Sequence, residues 1–145
     1  MDIKNEFFPC LLEGGLFPEY HVNRFVTFVY KENIFSIRPF QQIIKTEVEN
    51  IISMPLDTEI FSLILYNMNS YELPKSKKEY MLNMAANINL KYRGIKVIVS
   101  IEDDFHLEIH IELLNSFSKE LKNNLYKYLN IMILANEEIS KSLEQ

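Results

Sequence analysis

Apolar and polar residues alternate along FHLEIHIELL, residues 105–114, and this period of two organises the C-terminal half of the chain. On an extended strand Leu107, Ile109, Ile111 and Leu113 share one face, and His106, Glu108, His110 and Glu112 share the other. The run before it, GIKVIVSIEDD, carries Ile95, Val97, Val99 and Ile101 in the same phase. The two runs predict a hairpin with both apolar rows on the core, because a one-residue slip would bury the charges. The expected alignment sets Ile101 opposite Leu107, Glu102 opposite His106, Ser100 opposite Glu108, Ile98 opposite His110 and Lys96 opposite Glu112.

Elsewhere the period changes. IKNEFFPCLLEGG spaces Ile3, Phe7, Leu11 and Leu12 for a short helix stopped by Gly14 and Gly15, with Pro9 expected to weaken its middle. NRFVTFVYKENIFSIRP predicts a hairpin whose strands are separated by Lys31, Glu32 and Asn33. Its first strand is apolar on both sides, Phe25 and Val29 against Val26, Phe28 and Tyr30, which predicts cover on both faces. In FQQIIKTEVENIISMP, Phe40, Ile43, Ile44, Val48 and Ile51 fit a helix and Ile44, Thr46 and Val48 fit a strand; the spacing favours helix. IFSLILYN, residues 60–67, predicts a buried strand. SKKEYMLNMAANINLKY predicts a helix with a Ser76–Glu79 capping box, an apolar face of Tyr80, Met81, Met84, Ala85 and Ile88, and Gly94 beyond its end. Leu121, Leu125, Tyr128, Leu129, Met132, Ile133, Ile139 and Leu143 mark a C-terminal helix of about 25 residues, near 38 Å. That exceeds what a domain of this size needs to span, so part of it is expected to project or to pair with another chain.

The 145 residues fit one domain, 1–145, without repeats or linkers, and about two-thirds of its unfolded surface should be buried on folding. With 48% hydrophobic and 24% charged residues the composition is globular. MDIKNEFF carries Asp2 and Glu6 in place of an apolar signal core, and no apolar run approaches the roughly 18 residues of a membrane span. A net charge of −5 and a pI near 5.2 argue against nucleic acid and favour basic partners. The single cysteine, Cys10, excludes an internal disulfide and a Cys-x-x-Cys site, which suits a cytoplasmic location; within FFPCLL it is expected to be a buried structural thiol.

Candidate chemistry is sparse. His106 and His110 stand near 13 Å apart along a strand, too far to share one ion. Glu102, His106 and Glu108 form a weaker cluster within reach of one metal, but zinc sites need three or four convergent ligands with ordered outer partners. The stripe is therefore expected to be a solvated sheet face. Three glycines, two of them adjacent, build neither a Walker loop nor a dinucleotide fingerprint. No Gly-x-Ser-x-Gly or His-Glu-x-x-His occurs, and a nucleophile triad would have to draw on His21, His106 or His110. Glu102, Asp103 and Asp104 suit a hairpin tip, and Asn67 and Asn69 suit a turn after a strand. Asn83 and Asn87 fit a solvated helix face, and Met81, Met84 and Met132 a core. Lys75, Lys77 and Lys78 begin a helix, where the dipole disfavours cations, and so hint at an acidic contact. No catalytic, cofactor-binding or metal-ligating residue is expected, and no enzyme.

The order of elements resembles the YbjN family: a helix ending LLEGG and leading into PEY, the hairpin RFVTFVYKENIFSI, the strand IFSLILYN, the helix MLNMAANINLKY running into RGIKVIVS, the strand FHLEIHIELL and a long C-terminal helix. Residues 58–145 carry the best match, AANINLKYRGIKV above all, and residues 1–38 match in pattern. FQQIIKTEVENIISMPL departs from it, standing where a shorter link is expected. The resemblance implies an α+β fold, a small antiparallel sheet with flanking helices like that of type III secretion chaperones, in the order α-β-β-(insert)-β-α-β-β-α. It also implies a non-enzymatic protein-binding or regulatory module without catalytic residues, with a protein or peptide partner, dimerisation through a helix, and neither nucleic acid nor membrane. The alternative is a small-ligand or metal sensor on the open sheet face around Glu102, His106 and Glu108.

Overall fold

The computed structural model describes residues 3–22, 25–39, 42–45, 51–54, 61–100, 106–113 and 117–144. In chain order these form α1 (Ile3–Glu13), β1 (Glu19–His21), β2 (Phe25–Tyr30), β3 (Asn33–Pro39), β4 (Gln42–Lys45), β5 (Ile51–Met54) and β6 (Phe61–Asn67). Two 3₁₀ turns follow, Met68–Glu72 and Lys75–Lys77, then α2 (Lys78–Lys91), β7 (Lys96–Ser100), β8 (His106–Leu113) and α3 (Phe117–Leu143). The fold is α+β: six antiparallel strands in the order β1-β2-β3-β6-β8-β7, with three α-helices.

Alternation decides which residues of the sheet are core. Val26, Phe28, Phe35, Ile37, Leu63, Leu65, Leu107, Ile109 and Val97 join a single buried cluster with Phe7 and Leu11 of α1, Met81 and Ile88 of α2, and Leu125, Leu129, Met132 and Ile139 of α3. Phe7 meets Phe61 edge to face at 4.9 Å, and Phe28 stacks on Phe35 at 5.5 Å. Residues of the opposite phase define an outer face, turned away from that cluster. Cys10 is buried, as its apolar context predicts.

Tertiary contacts overrule local preference at several points. α1 runs unbroken through Pro9, because the buried side chains of Phe7, Cys10 and Leu11 hold it against the core. Its end is closed by Gly14 N–H to Cys10 O at 3.1 Å and Leu16 N–H to Leu11 O at 3.0 Å, with Gly15 at φ +80. A Cβ on Gly14 would stand 2.8 Å from the Leu125 side chain, so the glycine also sets how closely α1 approaches α3. The predicted Ser76 cap does not form. A 3₁₀ turn precedes α2, and Lys77 stands at the cap position without a side-chain bond.

The expected helix over residues 40–56 is overturned at its described residues, 42–45 and 51–54. Gln42–Lys45 pairs antiparallel with Ile51–Met54 as a separate two-stranded ribbon. Ile43, Ile44, Ile51 and Ile52 are β-branched and lose rotamer freedom in a helix, which is the local reason the strand alternative prevails. Thr46 and Val48 lie outside the described residues.

The β7–β8 hairpin forms with the predicted faces in a different register. Lys96 pairs with His110, Ile98 with Glu108 and Ser100 with His106, two residues from the expected alignment. An even shift leaves every side chain on its face, so the apolar rows settle the phase and leave the longitudinal alignment open. Ile101, Glu102, Asp103 and Asp104 lie outside the described residues.

The β2–β3 turn is tighter than expected. Asn33 belongs to β3 and pairs with Tyr30, leaving a two-residue turn with Lys31 at φ 48 and Glu32 at φ 65. Both are left-handed non-glycine residues, a conformation that costs each about 1–2 kcal/mol. Lys31 Nζ and Tyr30 Oη both donate to Oδ1 of Asn130 on α3, which anchors the turn.

α3 does not project along its described side chains. Leu125 through Ile139 supply buried positions, Lys122 pairs with Glu13 at 2.6 Å, and Tyr80 Oη donates to Ser142 O at 2.8 Å. Asn67, fully buried at the end of β6, joins the sheet to this helix: its Nδ2 donates to Asn136 Oδ1 at 2.8 Å and Ser140 Oγ at 3.0 Å, and its Oδ1 accepts from Ser70 N–H at 2.9 Å. The expected turn role of Asn67 is present, as the cap of the first 3₁₀ turn.

Candidate functional site

The outer face is built from cross-strand rows, each set by register. One row runs Thr27, Ser36, Ile64, His110, Lys96 across β2, β3, β6, β8 and β7. The next pairs Val29 with Ile34 on one side of the sheet, and Tyr66, Glu108 and Ile98 on the other. His106 follows, paired with Ser100.

On the β6–β8 half the predicted histidine stripe is not a solvated face. Glu108 sits between two imidazoles, with His106 Nε2 at 2.5 Å from Oε2 and His110 Nε2 at 2.9 Å from Oε1. All three side chains are 15% exposed or less. His106 also stacks on Tyr71 of the 3₁₀ turn at 4.3 Å and meets Tyr66 at 5.8 Å. The two rings are four residues apart on one strand, too far to share an ion directly. The carboxylate between them spans the gap because it offers one oxygen to each side.

Charge follows from this geometry. Burial opposes ionisation of Glu108, but hydrogen bonds from His110 and His106, reinforced by their positive charge when protonated, bring its pKa below the ordinary carboxylate value. Burial also pushes the Tyr66 phenol up; Glu108 adds to that and Arg38 opposes it. Arg38 lies 3.9 Å over the Phe25 ring and donates Nε–H to Ser36 Oγ at 3.1 Å. Ser36, Ser62 and Ile64, ringed in the register by Arg38, Tyr66 and His110, are buried although they face away from the helices.

Both Glu108 oxygens accept from an imidazole, so the carboxylate is already committed. Among the described residues no group of three or more His, Cys, Asp or Glu side chains is arranged to hold a metal ion. The predicted cluster is divided: His106 and Glu108 meet, while Glu102 lies outside the described residues. His21 is placed elsewhere, in edge strand β1, where it stacks on Phe25 at 4.4 Å and meets Thr27 Oγ1 at 2.7 Å.

The end of the same face nearest the β2–β3 turn is apolar and open, whereas Ser36 and Arg38 of β3 belong to the closed part. Phe17, two residues before the Glu19–Thr27 pair, lines one cleft with Val29 and Ile34 and extends their row. Phe17 is 87% exposed, Val29 59% and Ile34 63%; among the described residues the second cover predicted for β2 is therefore present over Phe25, which lies under Arg38 and against His21, and missing at Val29. Two clefts meet at Ile34. One, of about 320 Å³, is lined by Phe17, Glu19, Thr27, Phe28 and Val29 with Ile34. The other, of about 390 Å³, opens at the end of the sheet past the Phe35–Leu65 pair, between Glu32, Asn33, Tyr66, Met68, Asn69 and Tyr71 and the α3 residues Asn136 and Ser140, with Leu65 at its floor. The sequence offered one signal for this strip: apolar residues in the outer phase of a hairpin, assigned there to a covered strand. Met68 and Tyr71 carried no signal, because they reach the cleft through a 3₁₀ turn.

The sheet edges are unequal. On β7 the N–H of Val97 donates to Asn89 Oδ1 at 2.6 Å and its C=O accepts from Asn89 Nδ2 at 3.0 Å, so a side-chain amide occupies the place of a neighbouring strand. The opposite edge is the three-residue β1. Among the described residues no helix is long and apolar enough to cross a membrane. No protein-family model, curated protein or solved structure matches the chain.

Proposed function

We propose that the chain is a non-enzymatic protein-binding module that takes a peptide segment of a partner on the outer face of its sheet. The exposed apolar row of Phe17, Val29 and Ile34, continued by Met68 and Tyr71 around two joined clefts, carries this reading. A contiguous apolar surface of that kind is unfavourable to leave in water and marks an interaction site. The element order that resembles the YbjN family and its secretion-chaperone-like fold supports the same class of function. Asn89 on the β7 edge favours the face over that edge as the place of contact. A metal or small-ligand sensor around His106 and Glu108 draws less support, since Glu108 already receives both imidazoles.

Selection of a displayed random-peptide library against the full chain tests the proposal. Selected peptides should bind the wild type and lose at least tenfold in affinity to Ile34→Asp, with the circular dichroism of the variant unchanged. A library that yields no binder, or only binders indifferent to Ile34→Asp and Phe17→Ser, would reject the face as the site. Light scattering on the same samples reads the dimer that the family resemblance implies.

A further inference from the structure

We infer that the segment this strip receives is a basic amphipathic α-helix, an apolar stripe flanked on both sides by lysine or arginine; the inference rests on the peptide-binding reading above. The placement of charge around the row argues for it. Glu19 is paired with Thr27, one position to one side of the row formed by Phe17, Val29 and Ile34. Glu32 stands at the hairpin tip on the other side and lines the second cleft. Neither carboxylate has an ion-pair partner among the described residues. Lys31, next to Glu32 in the turn, donates to Asn130 and lies 5.3 Å over the Tyr30 ring.

Dimensions agree with the charges. From Thr27 to the hairpin tip is about 13 Å along the strand, at about 3.3 Å per residue. An α-helix with its side chains is about 10–12 Å across. A helix laid over the row therefore spans the gap between the acids and presents its flanks to them. Along the row, neighbouring strands stand about 4.8 Å apart. Helical side chains at i and i+4 recur about every 6 Å, close enough to seat successive apolar groups on Phe17, Val29 and Ile34. The second cleft, at the end of the sheet beside Asn136 and Ser140 of α3, suits a lysine or arginine of that helix: Ile34, Met68 and Tyr71 can hold the methylene stem while Glu32 meets the charged head. Acids on both sides of the strip and a net charge of −5 disfavour an anionic membrane surface as the occupant.

The experiment uses the full chain and two fluorescein-labelled synthetic helices of about five turns. Both carry leucines at i, i+3, i+4 and i+7, one with lysine flanks and its twin with glutamate flanks. Fluorescence anisotropy should show the lysine helix binding at least tenfold more tightly than its twin. The double variant Glu19→Lys/Glu32→Lys should reverse that preference, and Ile34→Asp should abolish both interactions. Equal affinity for the twins, with both sensitive to Ile34→Asp, overturns the basic preference and leaves a peptide-binding face standing. Failure of both helices alongside library peptides that bind through Ile34 overturns the helix but not the face. Failure of helices and library alike removes both proposals. Self-association in light scattering that Ile34→Asp abolishes shows that a second copy occupies the strip, which also overturns the inference.

Discussion

Ile34 and Ile64 are the same residue type on the same face of one sheet, on neighbouring strands, yet Ile34 is 63% exposed and Ile64 5%. Ile64 lies in the row between Ser36 and His110, among long side chains that bond to one another: Arg38 to Ser36, and His110 and His106 to Glu108. Ile34 lies in the row of Val29 and Phe17, where the side chains are apolar and offer one another no directional bonds. Neighbouring polar side chains can close a sheet face by hydrogen bonding sideways. Apolar ones need a layer above them. Among the described residues the face around Ile64 is thus closed by its own side chains, and the row of Ile34 is where a partner would add most.

Substitutions can break this contrast. Ile64→Ala is expected to cost about 2–5 kcal/mol in urea unfolding, the range for emptying a packed site; a cost below about 1 kcal/mol would mean that Ile64 is covered only loosely. Glu108→Leu should cost about 1–3 kcal/mol, because two largely buried imidazoles lose their common acceptor. An unchanged unfolding midpoint would show that the two bonds add nothing to stability.

The acid limb of the stability curve tests the same carboxylate. The folded pKa of Glu108 lies below its ordinary value of 4.5, so its contribution is fully present above that value and is lost as pH falls through the lower, folded one. Stability of the wild type should therefore decline more steeply below about pH 4.5 than that of Glu108→Gln. Identical acid limbs would show that the depressed pKa is absent.

On the open half, replacing Lys31 by Asn and Glu32 by Gly should raise stability by about 1 kcal/mol, since these residues accept left-handed φ in a two-residue hairpin turn. A loss would show that the Lys31–Asn130 bond outweighs the strain. The smallest effect belongs to Ile34→Thr, expected within about 0.5 kcal/mol of wild type because the side chain is already in water. A larger loss would place Ile34 against something within the chain and close the strip to a partner.

Much of the fold was legible because apolar period reports which side of an element is buried. The stripe on α3, the strand of residues 61–67 and both long hairpins appear where their patterns place them. The period says less about what lies over the other side. Phe25 and Val29 implied a second cover for β2 that the exposed Val29 lacks, and the alternation of β8 implied water over imidazoles that meet a shared carboxylate. Residues 42–54 misled for a related reason: apolar residues from Phe40 to Ile51 fall at helical spacing while the isoleucines stand in adjacent β-branched pairs, and pairing between β4 and β5 settled the ambiguity.

The amino-acid order by itself determined the phase of the β2–β3 and β7–β8 hairpins, the core faces of α3 and, Tyr80 apart, of α2, and the buried place of Cys10, all consequences of removing apolar groups from water. Only tertiary structure decided the two-residue shift in β7–β8, the meeting of His106 and His110 at Glu108, and the open row beside Ile34. Those depend on which even register the strands adopt and on which elements cross above them, and neither is encoded in the period of a single segment.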